Sequence, residues 1–202
     1  MKWLTGVVEV LLCAVVTQSF AADPVQDALV PPPRPDAAQL VFLDPHSSAS
    51  SDGFMAGIYE LNGNTRTLLT VINSRQRRVL DLPAGQHTLM SYHPLTKSAH
   101  IMLTDAEPGQ RYYVIMRFAY GQGLQMRPIR PDNTSEFNTS HKKFPTWLSA
   151  SALTADAVPA DWDADWQSAI NESQGRARVV WSKKTDEQRA ELTLRSEDRV
   201  EF

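Results

Sequence analysis

The sequence predicts a mainly β protein: a sandwich or barrel of seven or eight short strands with a helical C-terminal region packed on it. Three observations predict this. Short apolar runs recur between residues 39 and 130, separated by turn residues. In the longest run, Tyr112, Val114, Met116 and Phe118 alternate with their neighbours, the period of a strand with one buried face. In residues 161–173 the period changes, and Trp162, Trp166 and Ile170 recur every four residues on one helical stripe.

Each element follows from its punctuation. Residues 39–43 form an apolar strand that stops at Asp44-Pro45. Residues 54–61 and 66–72 flank Asn62-Gly63-Asn64, a hairpin signal. Residues 77–82 and 86–92 flank Pro83-Ala84-Gly85, and residues 99–104 and 110–119 flank Glu107-Pro108-Gly109; both read as tight turns closing hairpins. Residues 124–129 follow Gly121-Gln122-Gly123 as a last strand. Asp161 is the expected N-cap of the helix over 161–173, with Gly175 just past its end. Residues 177–181 and 190–194 read equally as strand or helix, and residues 131–145 as polar loop.

The N-terminus predicts the compartment. Met1-Lys2 precedes an apolar run over 3–16, which Glu9 interrupts, and Ser19-Phe20-Ala21 fits a small-x-small cleavage site. The run is shorter than the roughly 20 residues of a membrane-spanning helix, so residues 1–21 read as a cleaved signal peptide of a periplasmic or secreted protein, not as a transmembrane anchor. Cys13, the single cysteine, leaves with that segment, so the mature chain is expected to carry no disulfide and no thiolate site. Residues 22–38 hold five prolines, including Pro31-Pro32-Pro33, and read as a stiff linker. Residues 39–130 then form the β domain, and residues 131–202 an extension containing all the tryptophans of the mature chain and one acidic amphipathic helix.

Across Val79-Leu80-Asp81-Leu82-Pro83-Ala84-Gly85-Gln86-His87-Thr88-Leu89 and Glu107-Pro108-Gly109-Gln110-Arg111-Tyr112-Tyr113-Val114 the chain resembles the paired turn motifs of PEGA-like bacterial envelope proteins. It is also similar to a related group of secreted proteins known only as a domain of unknown function, whose tails residues 181–184 and 192–198 resemble. The resemblance implies an immunoglobulin-like β-sandwich, α+β overall, in the cell envelope, with no established catalytic residues.

Charge and motifs narrow the chemistry. The formal net charge of −3 excludes a strongly basic nucleic-acid binder at the level of the whole chain. Residues 64–130 carry nine basic and three acidic side chains, whereas residues 152–172 carry five acidic ones and no Lys or Arg. The densest basic spot is Arg75, Arg77 and Arg78, a candidate surface for an anionic polymer; the competing expectation is that the acidic helix docks on the basic β domain and neutralises it. Trp162 and Trp166 are candidate stacking residues, although their spacing beside Ile170 fits burial against the sheet better. Asp161, Asp163, Asp165 and Glu172 match positions 1, 3, 5 and 12 of a calcium loop, but Trp166 stands where the loop needs glycine, so helix N-terminal acids are expected instead. His87 and His93 lie too far apart on one strand to share a metal, and His93 and His100 still need a third ligand. No nucleophile motif and no complete dinucleotide or phosphate fingerprint is present, and no cofactor is expected. Two functions remain: a non-catalytic envelope module that binds or scaffolds an envelope protein or anionic polymer, and a hydrolase whose Asp and His groups meet only in the fold.

Overall fold

A computed structural model describes residues 30–46, 55–119, 123–154 and 158–200. The signal-peptide reading and the first half of the linker lie outside them. Eight full strands form in the predicted order: β1 (Ala37–Leu43), β2 (Ala56–Asn62), β3 (Thr65–Ile72), β4 (Gln76–Pro83), β5 (Gly85–His93), β6 (Ser98–Ala106), β7 (Arg111–Ala119) and β8 (Gly123–Ile129). Helix α1 (Phe144–Ala150), the two-residue strand β9 (Ala152–Leu153), helices α2 (Trp162–Ser182) and α3 (Asp186–Glu191), and the two-residue strand β10 (Thr193–Leu194) follow. Two five-stranded sheets result, ordered β8-β7-β1-β4-β9 and β10-β6-β5-β2-β3. The protein is a mainly β sandwich with helices on it, as the sequence predicts.

The core between the sheets is built from alternate residues of each strand, including Leu40, Phe42, Ile58, Leu89, Met102, Tyr112, Val114 and Met116. The opposite faces are also covered. Val41, Leu43, Tyr113 and Ile115 lie under Phe144 and Leu148 of α1, and Tyr59, Met90, Tyr92 and Ile101 lie under Trp162 and Ile170 of α2. The molecule is therefore a pair of sheets with a helix on each outer side. This explains why β1 is buried along its whole length instead of alternating.

Several expectations are corrected. Only the β2–β3 turn at Gly63 closes a hairpin of the predicted kind, with Asn62 paired to Thr65. Pro83-Ala84-Gly85 and Glu107-Pro108-Gly109 are turns, but each carries the chain from one sheet to the other: β4 pairs with β1, β5 with β2 and β6, and β7 with β1 and β8. Period-2 patterning specifies which residues face inward but not which strand lies alongside. The linker boundary also moves, because β1 starts at Ala37 and Val30 packs into the cluster under α1. Arg111 and Gln39 both donate to the Pro31 carbonyl, so this end of the proline segment is docked on the sandwich. The described residues after 130 form three α-helices and a 3₁₀ turn, and they are no separate appendage, since β9 pairs with β4 and β10 with β6.

The predicted stop at Gly175 is also overturned. Helix α2 runs through it to Ser182. A mid-helix glycine costs about 1 kcal/mol, and the next turn offsets that by burying Ala177 and by hydrogen bonds from the Arg176 guanidinium to the Lys97 carbonyl and Ser173 Oγ. Helix α3 is opened by a reciprocal capping pair, in which the Gln188 amide donates to Thr185 Oγ1 and the Thr185 amide to Gln188 Oε1.

Gly85 adopts φ 115°, a region closed to side-chain-bearing residues, while the space around its missing Cβ is open. Any penalty of Gly85→Val is therefore backbone strain and not a clash. Thermal unfolding of that variant should show a loss of roughly 1–3 kcal/mol, and Gly85→Ala should lose a similar amount despite its smaller side chain.

Candidate functional site

The site is formed where the last sandwich strand of one sheet leaves its edge open beside α2. Strand β6 pairs with β5 along its whole length, from Ser98 opposite His93 to Ala106 opposite Gly85. On its other side β10 covers only Leu103 and Thr104. Helix α2 lies over β6 because Trp162, Ile170 and Ala177 are buried against that sheet, and its C-terminal half then overhangs the uncovered edge. The result is a cleft of about 660 Å³. One wall is Ser173, Arg176, Ala177, Val180 and Trp181 of α2, with Lys184 just past its end; the floor is residues 96–101; the other wall is Gln125 and Arg127 of β8, with Leu192 at the end.

The walls combine apolar surface with positive charge. Val180 is 56% exposed, a large apolar side chain left open to solvent at the cleft. Lys97, Arg127, Arg176 and Lys184 line it, whereas no Asp or Glu does. Two carboxylates approach from outside: Glu172 pairs with Arg176 within α2, and Glu191 with Arg127 at 3.2 Å. Lys97 holds a left-handed backbone conformation, φ 47°, at the tip of the β5–β6 turn, which presents its side chain at the mouth.

The predicted residues are distributed elsewhere. Arg75 is exposed at the β3–β4 turn, but Arg77 and Arg78 are only 1% and 3% exposed, so the three do not form a common surface patch. Arg78 Nε donates to the Val71 carbonyl at 3.0 Å, across to the neighbouring sheet. The physical reason is the register: Arg77 and Arg78 of β4 stand opposite Leu43 and Phe42 of β1, in the interior of a sheet that β9 extends. The acidic helix does not cover this spot either. It packs on the other sheet, through apolar side chains and hydrogen bonds such as Tyr59 to Asp163 and the Arg66 guanidinium to Asn171, and its own C-terminal half carries Arg176 and Arg178.

Trp162 is 2% exposed and acts in packing. Its indole Nε1 donates to Tyr59 Oη at 2.8 Å, and Tyr59 Oη donates to Asp163 Oδ1 at 2.9 Å. Burial, reinforced by the Asp163 carboxylate, pushes the Tyr59 phenol far above its ordinary range. Gly57 lies beneath, where a Cβ would stand 2.8 Å from the indole nitrogen. Trp166 is only half-buried at the border of the same cluster, a correction to the expectation that the whole stripe is covered. Asp163, Asp165 and Glu172 lie within α2, so residues 161–172 are a helix start and not a loop.

Two histidine–carboxylate contacts of the described residues lie outside the cleft. His87 Nδ1 lies 2.6 Å from Glu60 Oε1, and its Nε2 lies 2.7 Å from the Pro83 carbonyl. His46 Nδ1 lies 2.8 Å from Asp44 Oδ1. Burial raises the Asp44 carboxyl above its ordinary value, against the opposing pull of His46. The Asp44-His46 contact was missed at the level of sequence, although the Asp-Pro-His spacing at the end of β1 was its signal. His93 is buried, and burial lowers its pKa. Among the described residues no three His, Cys, Asp or Glu side chains are grouped to hold a metal ion, and no helix is long and apolar enough to cross a membrane.

Fold and site together define a two-sheet β-sandwich with a helix-walled, cationic cleft at an open strand edge. Comparison with known protein families and with curated proteins finds no match to this chain.

Proposed function

We propose that this protein is a non-catalytic module of the cell envelope, exported to the periplasm or beyond, that binds or scaffolds through the cleft between α2 and β6. The observation that carries the reading is the cleft itself: an exposed apolar wall and a cationic rim with no carboxylate lining it. That composition suits recognition of an anionic partner, because opposite charge steers encounter while apolar contact supplies affinity. The PEGA-like resemblance of the turn motifs and the N-terminal export pattern support the envelope setting.

A photo-crosslinking residue at Val180 should capture a discrete partner in the native envelope, whereas one at Ala84, exposed on the β4–β5 turn, should not. N-terminal sequencing of the same exported protein should begin at Ala22. Equal capture from both positions, or a mature chain that begins at Met1, would refute the reading.

The alternative, a hydrolase, is favoured by the Asp44–His46 pair alone. Against it, the other ring nitrogen of His46 faces the Phe118 amide at 3.4 Å. Hydrolysis of p-nitrophenyl esters should stay at background in the native protein and be unchanged by His46→Gln; turnover lost in that variant would reverse the choice.

A further inference from the structure

We infer that the cleft is a strand-addition site: it takes an extended, acidic segment of a partner protein as an extra strand beside β6. This rests on the binding-module reading above and names the partner's chemistry. The argument begins from the backbone of β6. In an antiparallel pair, alternate residues turn their N–H and C=O groups toward the partner strand and away from it. The Leu103 amide donates outward, to the Leu192 carbonyl at 3.0 Å, so the odd-numbered residues of β6 are the ones turned away from β5. Lys97 follows the same alternation: its carbonyl accepts from Ser173 Oγ and from the Arg176 guanidinium, each at 2.8 Å. Between these two satisfied ends stand Ala99 and Ile101. No strand of the described residues pairs with them on that outward side, and both residues line the cleft.

An added strand would therefore continue the lane that β10 occupies beside Leu103 and Thr104. Strand addition gains affinity from main-chain hydrogen bonds and specificity from the side chains that alternate above and below. Here the two sides differ. Ala99 and Ile101 belong to the apolar cluster under α2, so one set of the incoming side chains meets Ala177, Val180 and Trp181. The other set meets β8, where Arg127 stands. Lys97 and Lys184 add positive charge at the mouth. The segment that fits alternates apolar and acidic residues. The same charge disfavours a second copy of this chain, whose own β6 edge would bring a like-charged rim against the first; exposed edges are commonly guarded in this way.

The test uses the full exported chain, isotope-labelled, and a capped hexapeptide of alternating valine and glutamate as probe. Versions with glutamine or lysine in place of glutamate, and with N-methyl groups at alternate amides in either phase, serve as comparisons. The glutamate peptide is expected to shift the Ala99 and Ile101 amides and to slow their hydrogen exchange at least tenfold. One methylation phase should weaken binding at least tenfold and the other should not. Lys97→Glu with Lys184→Glu should weaken it at least fivefold, as should Ala99→Pro, which removes one outward donor without touching the β5 ladder. Should Ala99→Pro unfold, the methylated peptides on the native chain decide alone.

Equal affinity of both methylation phases, a preference for the lysine peptide, or binding without protection of Ala99 and Ile101 would overturn the inference. So would capture of vesicles containing anionic lipid by a chain that ignores the peptide, or self-association through β6 seen in sedimentation. If these arms fail while Val180 still crosslinks to its partner, strand addition falls and the binding-module reading stands.

Discussion

Replacing Asp198 by Asn is expected to cost roughly 3–5 kcal/mol, the range for breaking one partner out of a buried ion pair. Asp198 is 1% exposed, and both of its oxygens receive Arg130 Nη1, at 2.8 and 2.7 Å. The Arg195 amide also donates to Asp198 Oδ2, while Arg130 Nη2 donates to the Ala190 and Thr193 carbonyls. One guanidinium thus ties the end of β8 to the last turn of α3, to β10 and to the 3₁₀ turn over Ser196–Asp198. Asp198→Asn leaves the buried Arg130 charge only partly compensated. The double variant Arg130→Met with Asp198→Leu should recover most of the loss, since it removes both desolvated charges together. Urea unfolding at pH 7 of Asp198→Asn, of Arg130→Met alone and of the double variant measures this. A single-variant loss below about 1 kcal/mol would place the pair in the class of weak surface bridges. Because Arg130 holds the β10 segment in its lane, the singles should also speed hydrogen exchange at the Leu103 amide.

Trp162→Ala is expected to lose roughly 3–5 kcal/mol as well, the range for truncating a buried aromatic side chain. In a chain of this size that corresponds to a fall of about 6–20 °C in melting temperature. The indole fills the space above Gly57 and donates to Tyr59 Oη, so the loss combines a cavity with a broken hydrogen bond. Trp162→Phe should recover most of it and retain a deficit of about 1 kcal/mol for the missing donor, because Tyr59 still has Asp163 to donate to. Trp166→Ala should cost clearly less than Trp162→Ala, since Trp166 keeps part of its surface in water. Equal losses from the two would contradict their difference in burial.

Much of the local structure was legible in residues 39–130. All eight full strands lie where alternation and turn residues put them, and Asp161 precedes the helix as expected. Both are short-range properties, set by side-chain period and by which residues tolerate a turn. The C-terminal stop of α2 failed because a glycine was read without the packing that follows it. The basic cluster failed for a similar reason. Arg75, Arg77 and Arg78 are adjacent in sequence, but the residues alternate in direction along β4 and a fifth strand extends the sheet beside them, so two of the three are buried. The cleft could not be read at all: its walls come from β6, β8, α2 and the segment before β10, residues 96 to 192 in the chain.

By itself, the sequence determined where the strands lie along the chain, the inward-facing residues and the helix N-terminus with its apolar stripe, because each depends on neighbours a few residues away. Only the tertiary structure decided which strands lie side by side, that the Pro83–Gly85 and Glu107–Gly109 turns pass between sheets, and that both outer faces carry a helix. It also decided where β6 keeps an open edge. The physical reason is that strand pairing and helix docking are settled by competition for buried area and backbone hydrogen bonds over the whole chain, and that competition gave β6 a neighbouring strand on its outer side only at Leu103 and Thr104.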